Sequence, residues 1–429
     1  MHIGFALSAT WLSGNGWRRP DSRVEEVYTV DFWAPIARRA EAAKLDFLFR
    51  PDALFMRPET LADSPGFSGP DPLVLLSGLA RETERIGLVT TSSTTFTPPF
   101  YLARQLQSLN WISHGRAGWN VVTSLDGHAN FGAAAMPSSE ARYAQARECV
   151  EVVQRLWESF PAEALQQDRA AGRFADTAQI VPIDHRGPHF RVTGPPNLPG
   201  HPAGTIPLFQ AGASPAGRDF AARIAAATFA ATPDLAAGVE LRTDLRRRAT
   251  AHGRSPDSVR VLPGLSLYLA PTAAEARALF RETHAHPAYR PRLIATVREL
   301  VGLDVSPLPA DHHVTLADLP AGHRSTRSGT HVELLRRLIA RDRPTVADLL
   351  GRPEVAGSAH WIVVGTPDDA LREIRERVDA GAADGFIALP GGSTESLDLF
   401  FDELMPRLVD AGLFRRDYTG ATLRGHLGL

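Results

Sequence analysis

The residues that could do chemistry lie just past runs of apolar sequence, not in a dense cluster of nucleophiles or metal ligands. F-Q-A-G-A-S-P-A-G-R-D-F-A-A, starting at Phe209, reads as strand, Gly-containing turn, Ser214 at a helix N-cap, Pro215 at the first helical position, then helix. Backbone N–H groups left free at such a helix start, with a hydroxyl beside them, form a phosphate cradle. Taken alone, the same pattern is that of an ordinary Ser-Pro cap. G-R-A-G-W-N-V-V-T-S, residues 115–124, reads as a strand with a polar residue at its centre. Alternation puts Gly118, Asn120 and Val122 on one face and Ala117, Trp119, Val121 and Thr123 on the other. With Trp119 packed outward under helices, Asn120 points inward, and a buried amide must find partners in neighbouring side chains or in the heteroatom edge of a ligand. Asp52, Thr91 and Tyr143 each read singly as a turn, strand or helix residue. Their shared placement past strand ends is what argues for a site.

A fold that gathers strand ends is therefore required. Strand-like runs alternate with helical periodicity: Ile3-Ala9, Asp46-Arg50, Ile86-Thr91, Ala117-Thr123, Ile206-Gly212, Ala227-Thr232, Val259-Ala270 and Asp384-Leu389. Helices are expected over about Asp31-Lys44, after the Asp71-Pro72 cap, over Ser139-Trp157, Pro367-Ala380 and Leu397-Ala411, with a further strand at W-I-V-V-G-T. Parallel strands need right-handed crossovers, so the expected architecture is an α/β fold, a (β/α)8 TIM barrel forming one domain over residues 1–429. Two insertions interrupt it, after strands 4 and 7, at about 160–205 and 271–358. The rival open doubly wound sheet lacks a G-x-G-x-x-G after its first strand.

Composition excludes several functions. A net charge of -2 offers no field for phosphate backbones or anionic membranes, and no apolar run approaches a membrane span. With no basic leader, a cytoplasmic protein is expected. The single cysteine, Cys149, allows no internal disulfide and falls in an amphipathic helix. The single lysine, Lys44, precedes the second strand and so lies at the wrong barrel end for Schiff-base chemistry. His284-Ala-His286 and His312-His313 fall within the second insertion, away from strand ends, and read as loop or surface histidines. No G-x-S-x-G elbow occurs, and R-G-P-H-F around His189 reads as a hairpin. What remains is a phosphate cradle, few titratable groups, and Phe49, Phe55, Phe96, Phe209 and Phe229 near strand ends. A cofactor carrying its own reactivity fits that inventory, and FMN has the phosphate, ring edge and apolar faces required.

G-R-A-G-W-N-V-V-T-S, Q-A-G-A-S-P-A-G-R, T-T-S-S-T-T-F-T-P-P-F around Thr91, and A-A-D-G-F-I-A-L-P with the tail L-R-G-H-L-G-L resemble the bacterial luciferase-like flavin monooxygenases. Within them the sequence is similar to the branch of nitrilotriacetate monooxygenase component A and dibenzothiophene sulfone monooxygenase. The resemblance implies a TIM barrel that takes reduced FMN from a separate NAD(P)H-dependent flavin reductase, uses O2 as co-substrate, and inserts one oxygen atom into a small organic substrate. It places FMN contacts at Asp52, Thr91, Asn120, Tyr143 and Ser214, with the Ala213 backbone beside them and Asn120 closest to catalysis. It also implies a homodimer or homotetramer. Two positions depart from the family pattern. Ser139 replaces a histidine that helps hold the phosphate, and Arg19 replaces the histidine of W-R-H-P near the substrate mouth. The protein's task in such an enzyme is to exclude water and hold the ring, so both insertions are expected to lid the pocket. The alternatives are an F420-dependent oxidoreductase of the same superfamily and a flavin-binding protein without turnover.

Overall fold

The computed structural model describes residues 1–325 and 329–429. Its strands β1 (His2–Ala6), β2 (Phe47–Arg50), β3 (Gly87–Ser93), β4 (Ala117–Val122), β5 (Leu208–Gln210), β6 (Ala227–Ala230), β7 (Arg260–Leu269) and β8 (Gly385–Pro390) pair in parallel, each with the next. β8 returns to β1, with His2 opposite Gly385 and Phe5 opposite Ala388, so the sheet closes into an eight-stranded barrel. Helices α1 (Val30–Ala42), α2 (Pro72–Leu79), α3 (Pro99–Ile112), α4 (Ser139–Glu158), α5 (Pro215–Ile224) and α6 (Leu235–Ala251) alternate with the first seven strands. The caps follow the sequence. Asp71 accepts from the Leu73 and Val74 N–H groups with Pro72 at the first helical position, which fixes where α2 begins.

Outward-facing strand residues such as Ile3, Leu48, Leu88 and Trp119 pack under the helices, while Phe47, Phe49, Val89, Phe209, Leu262 and Ile387 fill the barrel. The amino-terminal end is stoppered by the C-terminal tail. Leu423 and Leu427 of a short helix, Leu423–Leu427, are fully buried in that inner core. Gly118 is required there because a Cβ would come within 2.7 Å of Leu423. Lys44, just before β2, pairs with Asp417 at this same end, and Cys149 is buried in α4.

One element differs from the sequence reading, and two others take the form it expected. The helix expected over Leu397-Ala411 is broken: Thr394–Leu399 and Met405–Asp410 are α-helical, and Phe400–Leu404 between them is a π-helical turn. Pro406 has no N–H to continue the ladder, and the widened turn seats Phe400 and Phe401 against Phe5, at ring-centroid distances of 6.0 and 5.3 Å. Trp361–Gly365 adds in parallel to the distal half of β7, outside the ring. The stretch at 160–205 holds two hairpins, Leu165–Asp168 with Arg173–Ala175 and His185–Arg186 with Arg191–Val192, the second being the one read around His189.

The placement of that first insertion corrects the expectation that it lids the pocket. Its Pro199 carbonyl accepts from Gln107 and Trp111 at the carboxyl end of α3, and His201 and Ala203 close on Gly115, just before β4. Both contacts lie at the amino-terminal end of the barrel, opposite the mouth. The second insertion does reach the mouth. Helices α7 (Ala273–Thr283), α8 (Tyr289–Val301), α9 (Gly329–Asp342), α10 (Val346–Gly351) and α11 (Pro353–Ala356) follow β7. The last four pack around a core of their own, with Val297, Val301, Leu335, Ile339 and Leu349 fully buried. Helix α12 (Pro367–Asp379), begun by a Thr366–Asp369 capping box, leads to β8.

Candidate active site

β3 and β4 place Thr91 opposite Asn120 in register, both buried and facing into the mouth. The Asn120 amide donates from Nδ2 to Thr91 Oγ1 at 3.0 Å. Its Oδ1 is buried without a protein partner, which leaves an acceptor aimed at whatever fills the mouth. Trp119, one residue away, is fully buried outside the barrel with its indole N–H on the Ser92 carbonyl, which locks the strand's facing.

The turn after β5 forms the second wall. Ser214 caps α5, its Oγ accepting from the Gly217 N–H at 3.1 Å, and Pro215 holds the first helical position. Among the described residues the Ala213, Ser214 and Ala216 N–H groups have no protein acceptor, so the helix start presents free donors and a positive dipole end. Tyr143, in the second turn of α4, packs its ring on Phe220 at 5.8 Å and brings its hydroxyl to the same turn. A Cβ at Gly217 would stand 2.7 Å from that hydroxyl, and one at Gly212 would also collide with it. Both glycines are there for close approach. Gln210, buried at the end of β5, shapes the turn by accepting the Gly212 N–H at 2.8 Å.

Asp52 follows β2 at the mouth, half-buried. Burial raises its carboxyl above the usual range, the Ala53 N–H and Arg50 pull it back, and Asp71 adds to the rise. Ser139 is the first residue of α4, exposed, one turn before Tyr143; the cap itself is Ser138, which accepts from the Ala141 N–H. Thr91 and Asn120 touch, and Tyr143 meets the Gly212–Gly217 turn that carries Ala213 and Ser214. No direct bond joins Asp52 or Ser139 to the others among the described residues.

Two neighbouring residues escaped the sequence reading. Arg142 precedes Tyr143 on α4, and its Nε is buried without a partner while Nη1 reaches only the Pro137 carbonyl. Its adjacency to Tyr143 was the available signal. His360 lies just before the Trp361 strand and stacks on Phe229 at 4.9 Å, with burial pushing its pKa down to about 4, so the ring is neutral at pH 7. Phe229 in turn packs on Phe49 at 5.1 Å. Nothing local in the sequence marks His360, because its position depends on how the second insertion returns to the barrel.

Three histidines of the second insertion have structural partners. His286 pairs with Asp63 at 3.0 Å, His284 sits among Phe280, Tyr289 and Tyr268, and His313 meets the Arg343 carbonyl. Arg19 pairs with Glu282 at the rim, joining the loop after β1 to α7. The donor set fits a flavin nucleotide. A free helix N-terminus and two hydroxyls suit a phosphate, an orphaned amide acceptor suits a ring N–H, and Phe49 with Phe229 supplies an apolar floor.

A barrel with its mouth so furnished defines an enzyme built to hold a nucleotide cofactor rather than to attack with its own nucleophile. Residues 16–384 match the model of the luciferase-like monooxygenases, and the chain belongs to that family. It is 36% identical to nitrilotriacetate monooxygenase component A of Aminobacter aminovorans, over 100% of this chain and 96% of that protein. It is 34% identical to N-acetyl-S-(2-succino)cysteine monooxygenase of Bacillus subtilis, with the same coverage. The structure of EDTA monooxygenase from Chelativorans sp. BNC1 superposes with a TM-score of 0.82 at 29% identity, over 100% of this chain and 98% of that one. The chain is an FMNH2-dependent monooxygenase of this class. No helix among the described residues is long and apolar enough to cross a membrane.

Proposed function

We propose that this chain is the oxygenase component of a two-component system in the branch of nitrilotriacetate and dibenzothiophene sulfone monooxygenases. It receives reduced FMN from a separate NAD(P)H-dependent flavin reductase, works as a homodimer or homotetramer, and transfers one atom of O2 to a small organic substrate containing nitrogen or sulfur. The observation that carries this reading is Asn120: a buried amide whose donor end is fixed by Thr91 and whose acceptor end has no partner in the mouth. Relatives of the same length that act on aminopolycarboxylates and thioethers support the substrate class.

When bound, the reduced flavin supplies the electrons and the oxygen-activating ring. Ser214, the Ala213–Ser214 backbone and Tyr143 hold its phosphate, with Ser139 and Arg142 at the start of α4 beside them. Asn120 and Thr91 would orient the ring, Asp52 would line the mouth beside it, and Phe49 and Phe229 would keep water off it. Ser139 offers a hydroxyl where a histidine would offer a charge, and the free α5 donors carry more of the phosphate binding in consequence.

The test is anaerobic loading with FMNH2, admission of 18O2, and mass detection over a panel of aminopolycarboxylates, thioethers and sulfones. One 18O in the product of a single turnover, with reductase and NAD(P)H required only for repeated turnover, is the expected result. Turnover with reduced F420 and no O2 uptake, or flavin binding without any product, would overturn it.

A further inference from the structure

The phosphate cradle just described includes a carbonyl oxygen that ought to be a hazard. In the Ala213–Ser214 peptide, the N–H suits an anion and the C=O repels one. The peptide plane is rigid and trans, so the two point in opposite directions and whatever fixes one fixes the other. Arg218, one turn into α5, donates from Nε to the Ala213 carbonyl at 2.9 Å. The hold turns the Ser214 N–H away from the guanidinium, and the Arg218 backbone N–H continues the helix by donating to the Ser214 carbonyl at 2.8 Å.

The charge of Arg218 is committed elsewhere. Nη1 and Nη2 meet Glu240 at 2.6 and 3.1 Å, and Nη1 also meets Asp244 at 3.2 Å, both on α6. Asp244 is held in turn by Arg247 and Arg248 at 2.7 and 2.9 Å. With its guanidinium plane fixed by two carboxylates, Arg218 is anchored to the next helix rather than free to swing toward a phosphate.

We propose that Arg218 is a positioning residue for the phosphate cradle: anchored by Glu240 and Asp244, it pins the Ala213 carbonyl outward so that the Ser214 N–H faces the ligand's phosphate. This rests on the reading of the α5 start as the phosphate site. Without the pin, the peptide is free to rotate and can offer oxygen where nitrogen is needed. The cost falls on an anion and spares an uncharged ligand tail.

Riboflavin, which is FMN without its phosphate, is therefore the control. Dissociation constants for FMN and riboflavin are measured by quenching of flavin fluorescence for the wild type, Arg218→Met and Arg218→Lys, with thermal melting to show that each is folded. Losing a hydrogen bond that serves a charged group predicts FMN binding about tenfold weaker in Arg218→Met. Riboflavin binding stays within about twofold, and Arg218→Lys, whose ammonium can still donate, recovers most of the loss. Equal weakening for both flavins would make Arg218 a general support of the fold and overturn the proposal. Wild-type protein that binds FMN no better than riboflavin would instead remove the phosphate site, and the role of Arg218 with it.

Discussion

Two insertions interrupt the same barrel, and they are put to opposite uses. The first, after α4, folds back along the outside of that helix toward the stoppered end. There Glu148, buried, accepts from His185 Nε2 at 2.9 Å and from the N–H groups of His189 and Phe190. The second, after β7, builds its own core and sits at the rim of the mouth. It is tied to the loop after β2 through His286 and Arg292 on Asp63, and to the start of α6 through Arg341 on Asp234. One is stitched into the barrel's wall by a buried carboxylate; the other rests on the rim through ion pairs that water can reach. Each follows a barrel element in sequence, and that position alone does not tell which end of a barrel an insertion will cover. The buried partner does.

The carboxylates of the two ends also titrate in opposite senses. Burial opposes the charge on Glu148, but His185 and the Phe190 and His189 N–H groups outweigh it and hold its pKa below the usual range. Its stabilising contribution is present above the ordinary carboxylate range and is lost as pH falls through the lowered value. Asp52 has the opposite sign: raised by burial, it favours the folded state when protonated and costs stability once pH rises past its folded value. Glu148 has partners that outweigh its burial, whereas at Asp52 burial outweighs the Ala53 N–H and Arg50.

The largest expected effect breaks the first insertion. Glu148→Ala leaves an imidazole and two backbone donors without their acceptor, at a cost of about 3 kcal/mol read from chemical denaturation. FMN affinity should not change, and a parallel loss of flavin binding would show that the two ends are not separate. Next, Asn120→Ala removes the acceptor in the mouth and should weaken FMN and riboflavin alike by about tenfold in a fluorescence titration, with stability little altered. Asp63→Ala cuts the rim tie of the second insertion. Because that tie is partly exposed, it should cost under about 1 kcal/mol of stability but raise hydrogen peroxide released per NAD(P)H oxidised. Unchanged coupling would count against a lid. The smallest effect is Asp52→Asn, which removes a destabilised charge. It should raise the melting temperature of the flavin-free protein by about 1 °C at pH 7, the gain vanishing at acid pH.

Much of the barrel was legible because its signals are local. Alternation around Trp119 gave the facing of Asn120, and Ser214-Pro215 and Asp71-Pro72 gave helix starts that the structure keeps. The tyrosine contact was not legible, since it depends on Gly212 and Gly217 leaving room for a hydroxyl that arrives from another helix. The first insertion was misplaced for a similar reason: the residues that seat it, Gln107, Trp111 and Gly115, are far away in the chain and look ordinary there. His360 and the Arg218 anchor are also long-range arrangements, in which spacing within one segment carries no information about the partner. The π-helical turn at Phe400–Leu404 shows the limit within a single element, where periodicity alone smooths over the interruption caused by Pro406.

The central claim is that the mouth at the carboxyl ends of the strands holds a flavin by its phosphate at the α5 start and by its ring at Asn120. A crystal structure with FMN tests it most directly. The account predicts the phosphate within hydrogen-bond distance of the Ser214 N–H and hydroxyl, and a ring N–H on Asn120 Oδ1. A flavin seated elsewhere, or one whose phosphate ignores the Ala213–Ser214 turn, would contradict it.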